Sequence, residues 1–325
     1  GWEKDCDFKH LDFGSHYTYT MGDATGLYNA NGYNPDQPAE KVIRNFVAIE
    51  PDIFVIYDYI KTKDSYGTRW KKYLLHTNNK PAISGTLLTE VNEDQKLFSK
   101  TLLPSNAVLN LIDESSEYSG YPDWQVPTNQ RNWHIEITGR NNEEQFLNVL
   151  YTTDATTNSM PQTSLIQTAS KNMIGVLIKS VIPRIVLFSI KGDPQASVEY
   201  LVDYFSTAAH LITGLETGGY NVYKDGRLFF TSSTSSEGVL EFSSTDGGTF
   251  KITKTTLPSC STVGGSCKSN PCNVYSACNS VAGSCSSGYC CSGTCTTACI
   301  ENWQCSAWSS CSNNQQTRTC NDLIN

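Results

Sequence analysis

Residues 14–29, GSHYTYTMGDATGLYN, bring together side chains that could transfer protons. Tyrosine and histidine can act as general acid and general base. Enzymes that cleave acidic polysaccharides by elimination use this pair. His16, Tyr17 and Tyr19 are therefore candidates for contact with a substrate. In a strand, the two tyrosines would share one face and His16 would lie on the other. Aromatic residues favour strands, so the preferred interpretation is a structural strand followed by a loop at Gly22-Asp23.

His76, in the run KKYLLHT, is a second candidate for substrate contact. It follows the basic residues Arg69, Lys71 and Lys72, which could attract an anionic sugar. Lysine is also common on exposed edge strands, where it discourages pairing with other chains. The sequence favours a solvated strand edge and leaves substrate binding open.

The histidines form no recognisable catalytic or metal-binding motif. All five are scattered singly, and none belongs to an H-x-H pair: His10, His16, His76, His134 and His210. We therefore predict no catalytic residue, no metal site and no cofactor within this chain.

Asp58 interrupts an apolar run, IFVIYDYI, in which Ile56 and Ile60 would share its face of a strand. A buried carboxylate without a partner is costly. We expect an ion-pairing or hydrogen-bonding partner, with Arg44 as the candidate, and a structural role for the pair.

Residues 1–255 are rich in short β-type runs bounded by Pro, Gly, Asn and Asp. This pattern predicts an all-β fold: a large antiparallel β-sandwich followed by a small disulfide-rich C-terminal tail. The run YKDGRL predicts a hairpin turn at Asp225-Gly226. In NWHIEITG, alternation predicts that Ile135 and Ile137 face the core and that His134, on the solvated face, is a surface or groove histidine rather than a core one.

The most apolar stretch, NMIGVLIKSVIPRIVLFSI, covers residues 172–190. Because Lys179, Pro183 and Arg184 interrupt it, it predicts two strands with a turn rather than a membrane span.

The charge of the chain limits the kinds of partner. The net charge is −8, and the 24 basic residues do not gather into a long run. This argues against nucleic acid as a partner. An anionic sugar stays open, since a local groove can be basic on an acidic protein.

The cysteines predict an oxidising location. Of the 13 cysteines, only Cys6 precedes residue 260. The other cysteines lie in a polar segment too poor in apolar residues for an ordinary core, which points to disulfides and to a secreted or cell-surface protein. Zinc is the alternative, although that segment has no histidine and no pair of CxxC motifs. The odd total leaves at least one thiol unpaired, which either Cys6 alone or a partner in sequence outside this chain would explain.

Two patterns divide the cysteine-rich tail. Residues 256–300 hold a vicinal Cys290-Cys291 pair within a spacing that resembles knottin-type mini-domains. Residues 301–325 contain WQCSAWSSCSNNQQTRTC, which resembles part of a thrombospondin type 1 repeat. This resemblance implies that Trp303, Trp308 and Arg318 stack in alternating cation–π layers. It also implies an adhesive module, with a cell-surface or matrix partner.

The block from Tyr17 to Asp154 resembles the C-terminal β-sandwich of heparinase II/III-like polysaccharide lyases, closest to heparinase II. The stretches that carry the resemblance occur in the family's order: YTYTMGDATGLYN, KVIRNFVAIEPDIFVIYDYI, KKYLLHT, KLFSKTLLPSN and NWHIEITGRNNEEQFLNVLYTTD. The similarity covers residues 15–255 and weakens after about residue 165. It implies a sandwich over 1–165 and, over 166–255, the rest of the sandwich or a small β domain.

The resemblance also implies chemistry that this chain does not carry. In the family, an α-helical toroid packs on the sandwich, tyrosine and histidine transfer protons, and several members bind zinc. By the order of the blocks, all these residues would precede Gly1. We therefore expect the C-terminal part of a secreted lyase that cleaves uronic-acid-containing polysaccharide by β-elimination, inactive in isolation. The alternative is a non-catalytic carbohydrate-binding or adhesion protein on the same sandwich.

Overall fold

The computed structural model describes most of the first 255 residues and short segments of the rest. The described residues are 6–29, 37–66, 71–114, 133–204, 206–255, 266–268, 275–280, 289–297, 303–305 and 320–322. The chain divides into two compact units, Gly1–Thr255 and Thr256–Asn325. The described part is mostly β, with several antiparallel sheets.

The largest sheet of the first unit has eight antiparallel strands in the order β1-β2-β3-β4-β11-β8-β7-β6. Its strands are β1 (Asp7–Phe13), β2 (Tyr17–Asp23), β3 (Ala39–Ile49), β4 (Ile53–Thr62), β6 (Ala82–Ser84), β7 (Leu87–Asn92), β8 (Gln95–Leu103) and β11 (Glu143–Asp154). Helix α1 (Thr25–Tyr28) follows β2, and a 3-10 turn, Asp64–Tyr66, follows β4.

Three smaller sheets complete the first unit. A three-stranded sheet has the order β5-β10-β9, with β5 (Lys71–Thr77), β9 (Leu109–Asp113) and β10 (Trp133–Gly139). A five-stranded sheet has the order β12-β13-β14-β16-β19, with β12 (Gln162–Gln167), β13 (Met173–Lys179), β14 (Arg184–Ser189), β16 (Ala208–Ile212) and β19 (Leu240–Ser244). A four-stranded sheet has the order β15-β20-β17-β18, with β15 (Ser197–Val202), β17 (Gly219–Lys224), β18 (Arg227–Ser233) and β20 (Gly248–Thr255).

Three buried clusters show how these sheets are layered. One cluster lies between the eight-stranded and five-stranded sheets, and includes Tyr19, Val47 and Phe188. A second joins the other face of the five-stranded sheet to the four-stranded sheet. A third joins the other face of the eight-stranded sheet to the three-stranded sheet. The sheets therefore stack in four layers: three-, eight-, five- and four-stranded.

The layering explains the most apolar stretch of the sequence. The expected two strands are confirmed as β13 and β14, which pair antiparallel. Their side chains are almost all buried, because the five-stranded sheet is covered on both faces. An interior sheet gives continuous apolar runs, whereas a half-exposed strand gives alternation. Within the described residues, no helix has the length and apolar character needed to cross a membrane.

Several local predictions are confirmed. In β2, Tyr17 and Tyr19 share one buried face, as predicted, but the strand continues through Gly22 and Asp23, where a loop was predicted. The β17–β18 hairpin turns at Asp225 and Gly226, whose φ values of 50° and 77° fit a type I′ turn.

The Arg44–Asp58 pair is also confirmed. Arg44 donates two hydrogen bonds to the buried Asp58 carboxylate, Nε to Oδ1 at 2.7 Å and Nη2 to Oδ2 at 2.6 Å. The guanidinium also lies 5.7 Å from the ring centroid of Tyr73.

In the second unit the structure gives strand pairing and little side-chain detail. One sheet has the order β21-β23-β22, from β21 (Ser266–Lys268), β22 (Tyr275–Ser280) and β23 (Tyr289–Thr297), and β24 (Trp303–Cys305) pairs with β25 (Cys320–Asp322). Cys291 is buried and disulfide-bonded. Trp308 and Arg318 lie outside the described residues, and only the backbone of Trp303 is described, so the stacked layers stay a prediction.

Candidate functional site

Two tyrosines of the opening stretch, Tyr17 and Tyr19, make structural contacts. Tyr17 donates a hydrogen bond from its hydroxyl to Asp12 Oδ2 at 2.8 Å, and Tyr19 donates one to Asn45 Oδ1 at 3.1 Å. Burial raises the pKa of both phenols above the ordinary value for tyrosine. Both hydroxyl protons are therefore donated to side chains on neighbouring strands, β1 for Tyr17 and β3 for Tyr19.

His16 lies next to Tyr17 in sequence and is exposed in the bend between β1 and β2. It borders a shallow depression also lined by Arg184 and Glu241, where the solvent-sized space is about 10 Å³. That is room for about one water molecule. Nothing in the described part of the chain forms a sugar-sized cleft around His16.

The basic residues near His76 are engaged with neighbours. Lys72 Nζ lies 2.7 Å from Glu136 Oε1, and the buried Lys71 donates to the carbonyl of Asn141 at 2.6 Å. Arg69 lies outside the described residues. Strand β5 is an edge of the three-stranded sheet, as the solvated-edge interpretation expects. Substrate binding at His76 stays a hypothesis.

The structure does bring His76 next to His134 and Glu114. The two histidines are directly opposite each other in the antiparallel β5–β10 pair, and Glu114 follows the end of β9. His134 Nδ1 lies 2.6 Å from Glu114 Oε1, and His76 Nδ1 lies 3.4 Å from the same oxygen. The ligand-type atoms of the three residues all lie within 4.8 Å of one another. We call this group the His–Glu–His cluster.

The cluster corrects one sequence prediction. Ile135 and Ile137 face the core as expected, but His134 is not solvated: it is 8% exposed. The Glu114 carboxylate and the His76 ring pack against it, with 5.3 Å between the two imidazole centroids. Alternation placed His134 on the face opposite Ile135 and Ile137, but it does not reveal which strands pair or in what register.

His210 is a core residue. Its Nδ1 lies 2.8 Å from the Tyr200 hydroxyl, and its Nε2 lies 2.9 Å from Ser244 Oγ. Burial, with a smaller contribution from the charge of Lys224, lowers the pKa of His210 to about 3. The imidazole is therefore neutral at physiological pH, and its hydrogen bonds connect β15, β16 and β19.

One family model matches part of the chain. Residues 167–254 match the Heparinase II C-terminal domain. This segment resembles a lyase domain. It runs from the end of β12 into β20, so it includes most of the five-stranded and four-stranded sheets. It also lies downstream of the block between Tyr17 and Asp154, which carried the resemblance in the sequence.

Solved structures give a more distant comparison. The heparan sulfate lyase HepC from Pedobacter heparinus is 13% identical with a TM-score of 0.41, covering 57% of this chain and 28% of that one. A heparinase III is 10% identical with a TM-score of 0.42 and the same coverage. This chain thus spans little more than a quarter of those proteins. None of the curated proteins matches it.

Proposed function

We propose that this chain is the C-terminal part of a secreted polysaccharide lyase that cleaves uronic-acid-containing polysaccharide by β-elimination. The observation that supports the proposal is the match of residues 167–254 to the heparinase II C-terminal domain. Elimination requires a group that neutralises the uronate carboxylate, a base for the C5 proton and an acid for the leaving oxygen. A shared C-terminal domain makes this reaction the first to test.

The catalytic groups would lie in a part of the protein that precedes Gly1. Tyr17 and Tyr19 donate their hydroxyl protons to internal partners, and His210 is buried in the core. Neither arrangement offers an acid and a base to a substrate. In this proposal the stacked sheets of residues 1–255 have a structural role. Any zinc ion of the kind found in related lyases would be bound by the part of the protein that precedes Gly1.

The proposed location and partners of the protein follow from the cysteine-rich tail after residue 255. The cluster of cysteines after residue 260 suits an oxidising, extracytoplasmic location, and the buried disulfide at Cys291 fits it. The partner in this proposal is an acidic polysaccharide, with an additional cell-surface or matrix contact through residues 301–325.

The test compares the isolated chain with the native polypeptide isolated from its source. Each is incubated with heparan sulfate, alginate and other uronate polymers, and the unsaturated uronate produced by elimination is followed by its ultraviolet absorbance. We expect product from the native polypeptide, with a mass well above 35.9 kDa, and none from the chain alone. Turnover by the isolated chain would refute the placement of the catalytic groups. A native mass near 35.9 kDa without turnover would refute the lyase.

A further inference from the structure

The His–Glu–His cluster has the donor atoms of a transition-metal site. Two imidazole nitrogens and one carboxylate oxygen converge from β5, β10 and the end of β9. Imidazole suits zinc and its neighbours in the first transition row, whereas calcium and magnesium prefer sites made of oxygen atoms. The chemistry of the donors therefore selects a zinc-like ion.

The distances between the donors are close to those that zinc requires. Zinc binds nitrogen and carboxylate oxygen at about 2.0–2.2 Å, so neighbouring ligand atoms of a tetrahedral site lie about 3.4 Å apart. His76 Nδ1 and Glu114 Oε1 are already separated by 3.4 Å. His134 Nδ1 lies 2.6 Å from the same oxygen, so this pair must open by less than one ångström. Small side-chain rotations suffice, since His76 and His134 are already paired on adjoining strands and Glu114 follows the end of β9.

A second carboxylate, that of Glu136, lies next to the cluster. His134 Nε2, the nitrogen that points away from Glu114, lies 3.5 Å from Glu136 Oε1. Glu136 is itself held by Lys72 Nζ at 2.7 Å. Histidines that bind metals usually donate their second N–H to a carboxylate, which fixes the tautomer and the ring orientation. Glu136 is positioned for that role.

The cluster is closed on one side and open on the other. The side chains of His134 and Glu114 are each 10% exposed, whereas the side chain of His76 is 59% exposed. Three protein ligands leave one tetrahedral position, and the exposure of His76 puts solvent within reach of that position. A water molecule or a small anion would complete the coordination.

We propose that His76, Glu114 and His134 form a binding site for a zinc-like divalent ion, with Glu136 as a positioning residue. The ion ties the edge strand β5 to β10 and to the end of β9. It stabilises the three-stranded sheet, because a ligand that binds only the folded state shifts the unfolding equilibrium. The site stands independently of the proposed lyase reaction.

The experiment uses the full chain with its disulfides intact, in a Cys6→Ser background that removes the exposed free thiol. The protein is treated with a chelator, exchanged into clean buffer and titrated with zinc by calorimetry. We expect one zinc per chain with a dissociation constant in the micromolar range or tighter. Cobalt(II) should give the visible bands of a tetrahedral nitrogen–oxygen site without thiolate charge transfer.

Variants distinguish the site from incidental binding. His76→Ala and Glu114→Gln should each raise the dissociation constant at least tenfold and abolish the zinc-dependent rise in Tm. Glu136→Gln should weaken binding by about 10- to 100-fold. The matched control is His10→Ala, since His10 pairs with Glu237 at 3.0 Å but belongs to no such cluster among the described residues. It should bind zinc like the parent.

Two results would overturn the site. One is a parent chain that takes up no zinc at micromolar concentrations. The other is unchanged affinity in both His76→Ala and Glu114→Gln, with far-UV circular dichroism showing that the variants are folded. In either case the cluster is a hydrogen-bonded group without a metal.

Discussion

At the scale of single residues, His210 stabilises the core through its hydrogen bonds. His210 is fully buried, and both of its nitrogens have partners, the Tyr200 hydroxyl and Ser244 Oγ. The imidazole stays neutral because a charge at this depth would lose its hydration. Its low pKa makes the stability of the fold depend on pH.

The pH dependence has a definite sign. Burial lowers the folded-state pKa of His210 to about 3, below the value of about 6.5 for an unfolded chain. Between these values the unfolded state binds a proton that the native state does not. The free energy of unfolding should therefore fall as the pH falls from about 6.5 towards 3, by up to about 1.4 kcal/mol per pH unit from this residue.

Urea denaturation of wild type and His210→Gln between pH 7 and pH 4 measures this dependence. The amide keeps part of the hydrogen bonding, so we expect a loss of about 1–3 kcal/mol at pH 7 and a flatter dependence below pH 6.5. His16→Gln, at an exposed histidine, is the control and should follow wild type. Parallel curves for wild type and His210→Gln would contradict the assignment.

At the scale of elements, the close pairing of β13 with β14 depends on a glycine. Gly175 pairs with Leu187, and a Cβ atom placed on it would lie 1.8 Å from the carbonyl oxygen of Val186. That oxygen is backbone in the middle of the five-stranded sheet. It cannot move without separating two interior strands.

Gly175→Ala should therefore destabilise the first unit by about 1–3 kcal/mol or more, through overpacking. Gly22→Ala is the matched control within β2, because its nearest contact would be Cys6 Sγ at 3.5 Å, an ordinary separation. We expect that change to stay within about 0.5 kcal/mol. The Tm values of the two variants are compared by thermal unfolding. Equal Tm values would show that β13 and β14 can move apart without loss of stability.

At the scale of the whole molecule, the two units depend on different stabilising interactions. Gly1–Thr255 contains a single cysteine, Cys6, which is free and exposed, so no internal disulfide stabilises its four layers. Thr256–Asn325 contains all the other cysteines and few apolar residues. A unit of this size rarely has enough hydrophobic core to fold without disulfides or a structural metal ion.

Reduction of the disulfides should affect the two units differently. With dithiothreitol, we expect the thermal transition of Gly1–Thr255 to stay in place while Thr256–Asn325 becomes sensitive to protease. Limited proteolysis followed by mass spectrometry, with and without reductant, reads out both units. A tail that stays resistant after full reduction would contradict the disulfide interpretation.

The sequence by itself determined features that depend on near neighbours along the chain. Alternation predicted that Tyr17 and Tyr19 share one face of β2, and Asp225-Gly226 predicted the hairpin turn because both positions need a positive φ. The cost of a buried carboxylate predicted the partner of Asp58, since Arg44 lies on the neighbouring strand. These inferences need only a pattern within one or two strands.

The tertiary structure alone decided which strands meet. The stacking of four layers explains why β13 is buried on both faces, and the β5–β10 register places His76 opposite His134. Glu114 reaches both histidines from the end of β9. No local pattern encodes such contacts, because pairing between distant strands is set by the packing of whole sheets.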